Sequence, residues 1–228
     1  MKACFVTCGT LNSVWQDKLN QIAKNDLIVF GFNGLGLVSY KKELNGETEY
    51  FQDIAKLSRQ LSSVIVCGCD TDTYGVFKRS AVIADKGRIL GVSDMLHAID
   101  ETEYTAGGYL RIYETSIGKI GIVLSDDIFF YETIETLALC DADIIICLYK
   151  TLYNAMPQIA LRANAFVNGV YMALCAERYA AIADIRGEII ASSGSDILNC
   201  NFQTEKDYRL VCKRKRGLFS DFKGDCKL

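Results

Sequence analysis

The chain has 228 residues, half of them hydrophobic, with a formal net charge of -3 and an isoelectric point near 5.3. This length and composition predict one domain over residues 1–228 with a sizeable core. The acidic balance argues against a nucleic-acid partner, and no apolar run reaches the ~20 residues that span a membrane, so no membrane partner is expected.

The N-terminus and the cysteines indicate a reducing compartment. The opening MKACFVTCGT turns polar too early for a signal peptide. Most of the ten cysteines lie in or beside apolar, strand-like runs, where a free thiol behaves as a small hydrophobe. Cys67 and Cys69 form a C-x-C pair without a second pair at zinc-ligand spacing, and His97 is the only histidine. We therefore predict a cytoplasmic protein with reduced cysteines, no metal and no cofactor.

Strand-like and helix-like segments alternate through the first half. ACFVTC, DLIVF and SVIVCG read as strands. Trp15, Leu19 and Ile22 mark one face of a short helix, and a longer apolar stripe begins at Phe51. FKRSAVIADKGRIL then predicts a hairpin that turns at Lys86 and Gly87.

The second half repeats this pattern. YLRIYET, GKIGIVLS, ADIIIC, VYMALCAE, AAIADIRGEIIASS and DILNCNFQ read as strands, and YETIETLALC as a helix. A further helix follows Pro157, and its predicted buried side consists of Ile159, Ala163, Phe166 and Val167. Uniformly apolar strands separated by helices predict an α/β protein with helix-covered sheets, without deciding between one sheet and two.

A dense polar cluster ends one apolar strand, in GIVLSDDIFFYE at residues 121–132. Ser125, Asp126 and Asp127 follow the strand directly. Two interpretations stay open for the acids: they border an active site, or they begin a helix, where a carboxylate such as Asp127 caps free N–H groups.

Five segments in this order resemble motifs of the nitrilase superfamily of carbon–nitrogen hydrolases. They are DLIVFGFN, FKRSAVIADKGRILGVSDMLHAIDETEY, GKIGIVLSDDIFFYETIETLALCDADIII, LRANAFVNGVYMALCAE and IADIRGEIIA. The resemblance implies a four-layer α-β-β-α sandwich. It also implies a homodimer or higher homo-oligomer that packs helices face to face.

The resemblance further implies a mechanism, in which a cysteine thiolate attacks an amide or nitrile. A glutamate serves as the base and a lysine stabilises the oxyanion. The positions that match these three residues hold Phe32, Asp94 and Ser125, while a supporting glutamate matches Glu101. Small shifts in alignment do not restore these residues, because DLIVFGFNGLG contains no Glu, RILGVSDMLHAIDETEYTAGG contains no Lys, and GKIGIVLSDDIFFYE contains no Cys.

These replacements predict a pseudoenzyme that keeps the scaffold for binding or assembly. Phe32 cannot accept a proton, Asp94 would repel an oxyanion, and Ser125 has a far higher pKa than a thiol. One alternative is a hydrolase of small amides or esters that uses Ser125, with Asp94 or Glu101 as its base. Another is a pocket for a small cationic ligand, lined by Phe32, Asp94, Glu101, Ser125 and Asp126. His97 is interpreted as a structural histidine at the pocket border.

Overall fold

The computed structural model describes residues 1–98 and 103–204 of the chain. Its first sheet has the order β13-β1-β2-β4-β5-β6, with β3 paired to β4. The strands of this sheet are β1 (Lys2–Val6), β2 (Leu27–Phe30), β3 (Leu37–Ser39), β4 (Val64–Thr73), β5 (Val76–Asp85), β6 (Arg88–Asp94) and β13 (Ile197–Asn201). Strands β1, β2 and β4 run parallel, so their carboxyl ends share one edge.

The second sheet has the order β12-β11-β10-β9-β8-β7. Its strands are β7 (Ile112–Thr115), β8 (Gly118–Leu124), β9 (Ile144–Leu148), β10 (Tyr171–Ala176), β11 (Tyr179–Ala183) and β12 (Ile189–Ser193). The central strands β8, β9 and β10 are parallel.

The helices are α1 (Leu11–Asp17), α2 (Leu19–Ile22), α3 (Tyr40–Leu44), α4 (Tyr50–Leu61), α5 (Tyr131–Leu139) and α6 (Met156–Asn168). A 3-10 helix, Ser125–Phe129, joins β8 to α5. Helix α1 begins with a capping box in which the Thr10 hydroxyl accepts from the Ser13 N–H. No helix among the described residues is long and apolar enough to cross a membrane.

Three apolar clusters order these elements into layers. The inter-sheet cluster joins inward-facing residues of both sheets, such as Phe5 and Ile146. A second cluster lies between the first sheet and helices α1, α2 and α4, and a third between the second sheet and helices α5 and α6. The architecture is therefore the four-layer α-β-β-α sandwich that the resemblance implied, and it settles that there are two sheets.

The predicted strands are all present, and β3 and α3 are additional. The single short helix predicted around Trp15, Leu19 and Ile22 is instead two helices, α1 and α2, which are separated at Lys18. The predicted buried side of α6 is wrong. Ile159 is 64% exposed, Phe166 is 48% exposed, and Ala163 and Val167 are also exposed. The helix instead buries Pro157, Leu161, Ala165 and Asn168. Both sides of α6 carry apolar residues. The side that includes Ala165, whose side chain is smaller than those of Ile159 and Phe166, lies against the sheet.

Candidate functional site

Asp94 ends β6 on the helix-covered side of the first sheet. It pairs in register with Ser80, whose hydroxyl donates to Asp94 Oδ1 at 2.7 Å. Lys78 Nζ donates to Asp94 Oδ2 at 2.9 Å. Val82, two residues after Ser80 on the same strand, belongs to the helix-side cluster. Because side chains alternate along a strand, Asp94 points away from the space between the sheets.

Met95, the next residue, takes the inward position instead. Its side chain is 1% exposed and lies in the inter-sheet cluster with Phe32 and Leu124. Phe32 follows β2 and passes so close to β4 that a Cβ on Gly68 would lie 2.7 Å from the Phe32 Cα. Asp94 therefore does not face the space beside Phe32, and the expectation that Asp94 makes this space acidic is corrected.

Ser125 lies directly after β8, at the carboxyl edge of the parallel strands of the second sheet. It is buried and has a φ of 48°, in the left-handed region that non-glycine residues seldom adopt. Its hydroxyl makes no hydrogen bond with any described residue.

The two acids after Ser125 point in different directions. Asp126 accepts a hydrogen bond from the Tyr149 hydroxyl at 3.0 Å, and Tyr149 packs on the helix-side cluster of the second sheet. Asp126 and Asp94 thus lie with two different outer layers. The expected acidic pocket shared by Asp94 and Asp126 is not formed.

Asp127 ties the end of β8 to the segment after β6. The Leu96 N–H donates to both carboxylate oxygens at 3.0 Å, and the His97 N–H donates to Oδ1 at 2.9 Å. His97 Nδ1 lies 2.9 Å from the same oxygen, and the Leu124 N–H completes the set at 3.4 Å. Burial raises the pKa of Asp127, and these hydrogen bonds oppose the shift.

Asp127 also lies in the first turn of the 3-10 helix, where it accepts from the N–H of the N-cap residue Leu124, so the helix-start interpretation is confirmed and the contacts with Leu96 and His97 are additional. The residue at the start of α5 is Phe130, whose ring stacks on the His97 ring at a centroid distance of 3.6 Å. Hydrogen bonding and stacking together hold the His97 ring in place, which agrees with the interpretation of His97 as a structural histidine.

A buried arginine was missed at the sequence level. Arg79 is only 6% exposed, and its guanidinium carbon lies 5.5 Å from the Phe32 ring centroid and 4.5 Å from that of Tyr104. Strand alternation could have revealed it. Arg79, Ala81 and Ile83 are two residues apart along one predicted strand, so their side chains point to the same side of the sheet, and Ala81 and Ile83 face inward. A cationic group thus lies beside the aromatic wall near Phe32.

Glu101 lies outside the described residues. Among the residues described, no group of three or more His, Cys, Asp or Glu side chains could hold a metal ion. The buried thiols are not activated either: burial raises the pKa of Cys67, Cys147 and Cys175 well above the usual range. Such thiols stay protonated at neutral pH and are poor nucleophiles.

The four-layer sandwich of two sheets between two helix layers is the fold that the resemblance to the nitrilase superfamily implied. The sequence profile described as carbon-nitrogen hydrolase matches residues 13–199. The chain therefore belongs to the carbon–nitrogen hydrolase family.

Individual relatives are distant. The Schizosaccharomyces pombe protein named "Probable nitrilase C965.09" is 24% identical over an alignment of 157 residues. The match covers 65% of this chain and 58% of that protein. The chain therefore spans less than two thirds of that relative's length. A carbon-nitrogen hydrolase from Helicobacter pylori G27 superposes with a TM-score of 0.75 at 18% identity, covering 98% of this chain and 95% of the other. Saccharomyces cerevisiae Nit3, of branch 10 of the nitrilase superfamily, superposes with a TM-score of 0.73 at 18% identity, and the match covers 88% of this chain and 89% of Nit3.

Proposed function

We propose that this protein is a pseudoenzyme of the carbon–nitrogen hydrolase family that lacks amide and nitrile hydrolysis and serves as a binding or scaffold protein. The observation that carries the proposal is the apolar packing of Phe32 and Met95 between the sheets. Phe32 occupies the position where the family resemblance calls for the base. Because no proton acceptor stands there, a nucleophile at position 125 would keep its proton.

The position of the oxyanion-stabilising lysine is proposed to be Met95. The alignment that matched it to Asp94 moves by one residue, because Met95 has the inward side chain and Asp94 the outward one. A thioether offers neither positive charge nor a hydrogen to a developing oxyanion. Losing the base, the cation and the thiol together removes every group of that mechanism, whose members act as a unit.

The test is turnover of a broad panel of amides and nitriles by purified protein, measured as ammonia release. We expect no release above a Ser125→Ala control. Hydrolysis by the natural chain that Ser125→Ala abolishes would overturn the proposal.

A second candidate is a serine hydrolase. Its support is the left-handed backbone of Ser125 at a strand end, since strain of this kind concentrates at active sites. A fluorophosphonate probe would then label Ser125, and Ser125→Ala would remain unlabelled. Absence of labelling in both chains would refute this candidate and leave the pseudoenzyme.

We further propose a homodimer formed through α6. Its support is the exposed apolar side chains of Ile159, Phe166 and Val167 on one helix of the outer layer. An apolar stripe of this kind is typical of a surface that a partner covers. The chain is proposed to fold as one domain in the cytoplasm, in keeping with eight free cysteines among the residues described.

A further inference from the structure

A cavity of about 540 Å³ opens at the edge of the first sheet, beside β3, β4 and the start of β5. Five described residues line it: Leu37, Asp70, Phe77, Glu103 and Tyr104. A cavity of this size accommodates a small organic molecule. It is separate from the small polar pocket around Asp94 and Lys78 on the helix-covered side of the sheet.

The lining has a definite chemical character. Asp70 and Glu103 supply carboxylates, Phe77 and Tyr104 supply aromatic rings, and none of the described lining residues is basic. Carboxylates attract a cation directly, and aromatic rings attract it through their negative faces. Neutral and anionic ligands gain neither attraction.

Asp70 has an incomplete set of hydrogen bonds. Its Oδ2 accepts from the Tyr104 hydroxyl at 3.0 Å. Its Oδ1 has almost no accessible surface and accepts no hydrogen bond from any described residue. Because Oδ1 is closed off from solvent, Asp70 acts on a ligand in the cavity through its negative charge and not through a hydrogen bond to this oxygen.

The ring of Tyr104 also contacts Arg79. The guanidinium carbon lies 4.5 Å from the Tyr104 centroid, and the Arg79 side chain is buried between the sheets and does not line the cavity. Arg79 pairs in register with Asp70 across β4 and β5. Tyr104 is thereby held at two points, its ring by Arg79 and its hydroxyl by Asp70.

The rim of the cavity is apolar. Leu37 and Phe77 are both exposed large side chains. We infer that this cavity binds a small organic cation with an apolar body, such as an arylalkyl amine, whose ammonium faces Asp70 and Glu103. The inference rests on the proposed function, because it assigns a bound ligand to a chain without turnover.

The experiment is calorimetric titration of the full chain with phenethylamine, with 2-phenylethanol and 3-phenylpropionate as the matched neutral and anionic probes. We expect phenethylamine to bind at least about tenfold more tightly than either. Asp70→Asn should weaken amine binding by about tenfold, and Glu103→Gln should weaken it severalfold. Glu103 is exposed, so its variant tests the site even if Asp70→Asn fails to fold.

Asp94→Asn is the matched control, because Asp94 lies on the same sheet but faces the helix layer. The Asp94→Asn variant should bind the amine as tightly as the natural chain does. Amine binding that survives both Asp70→Asn and Glu103→Gln would overturn the inference, as would tighter binding of 3-phenylpropionate or no amine binding at millimolar concentration. Ammonia release from 3-phenylpropionamide, measured on the same sample, separates the two proposals. Release refutes the pseudoenzyme, whereas absent release with absent amine binding refutes the cation site alone.

Discussion

Replacing Asp127 by alanine should destabilise the protein far more than the same change at Asp126. Asp127 is 1% exposed and accepts from Leu96, His97 and Leu124. Asp126 is partly exposed, and the Tyr149 hydroxyl is its only side-chain partner among the described residues. The two neighbouring carboxylates therefore provide a matched comparison of a buried acceptor with a surface one.

The magnitude follows from the donors that Asp127→Ala leaves unpaired. The buried Leu124 N–H and the partly buried Leu96 and His97 N–H groups each lose an acceptor, at about 1 kcal/mol or more apiece. The total is about 3 kcal/mol, before any cost of the space left behind. Asp126→Ala loses one partly exposed hydrogen bond, which is worth about 1 kcal/mol or less.

The assay is urea unfolding at pH 7 and 25 °C, followed by the fluorescence of Trp15 and by circular dichroism. Asp127→Ala should lower the midpoint strongly without changing the slope, and Asp126→Ala should shift it little. A double-mutant cycle of Asp127→Ala with His97→Ala isolates their coupling. A cost below about 1 kcal/mol for Asp127→Ala would refute the role assigned to these hydrogen bonds.

Three further predictions concern the vacated site and the surface. Ser125→Gly should raise the free energy of unfolding by about 0.5–1 kcal/mol in urea, because glycine adopts φ 48° without strain, whereas Ser125→Ala should give no gain. Iodoacetamide at pH 8 should alkylate the exposed Cys140 of the native protein but leave Cys175 unmodified until urea is added, because burial raises the pKa of the Cys175 thiol. Rapid labelling of Cys175 in the native protein would contradict this prediction. Phe166→Glu should convert a dimer to a monomer in light scattering, whereas Leu44→Glu, at an exposed apolar control site on α3, should not; an unchanged mass for both would exclude the α6 interface.

Local sequence patterns predicted the elements well, because each pattern carries its own physical signature. Period-2 and uniformly apolar runs located β1, β2, β9 and β10, and the glycine after Lys86 located the hairpin turn. The short β3 and α3 were missed, because three to five residues are too few to show a period. The face of α6 was predicted wrongly, since both of its sides are apolar and only packing selects one.

The residues of the candidate site were likewise predicted in part from the sequence and decided in part by the tertiary structure. Residue identity alone determined that the segment around Phe32 holds no Glu, the segment around Asp94 no Lys, and the segment around Ser125 no Cys, so small shifts in alignment do not restore the family's catalytic residues. Which side of the sheet each side chain occupies depended on register and on the end of β6: Asp94 joined Lys78 and Ser80 outside, and Met95 and Arg79 lay between the sheets. A shift of one residue along a strand reverses the direction of a side chain, so the tertiary structure alone decided that Met95 and Arg79, and not Asp94, lie on the Phe32 side of the sheet.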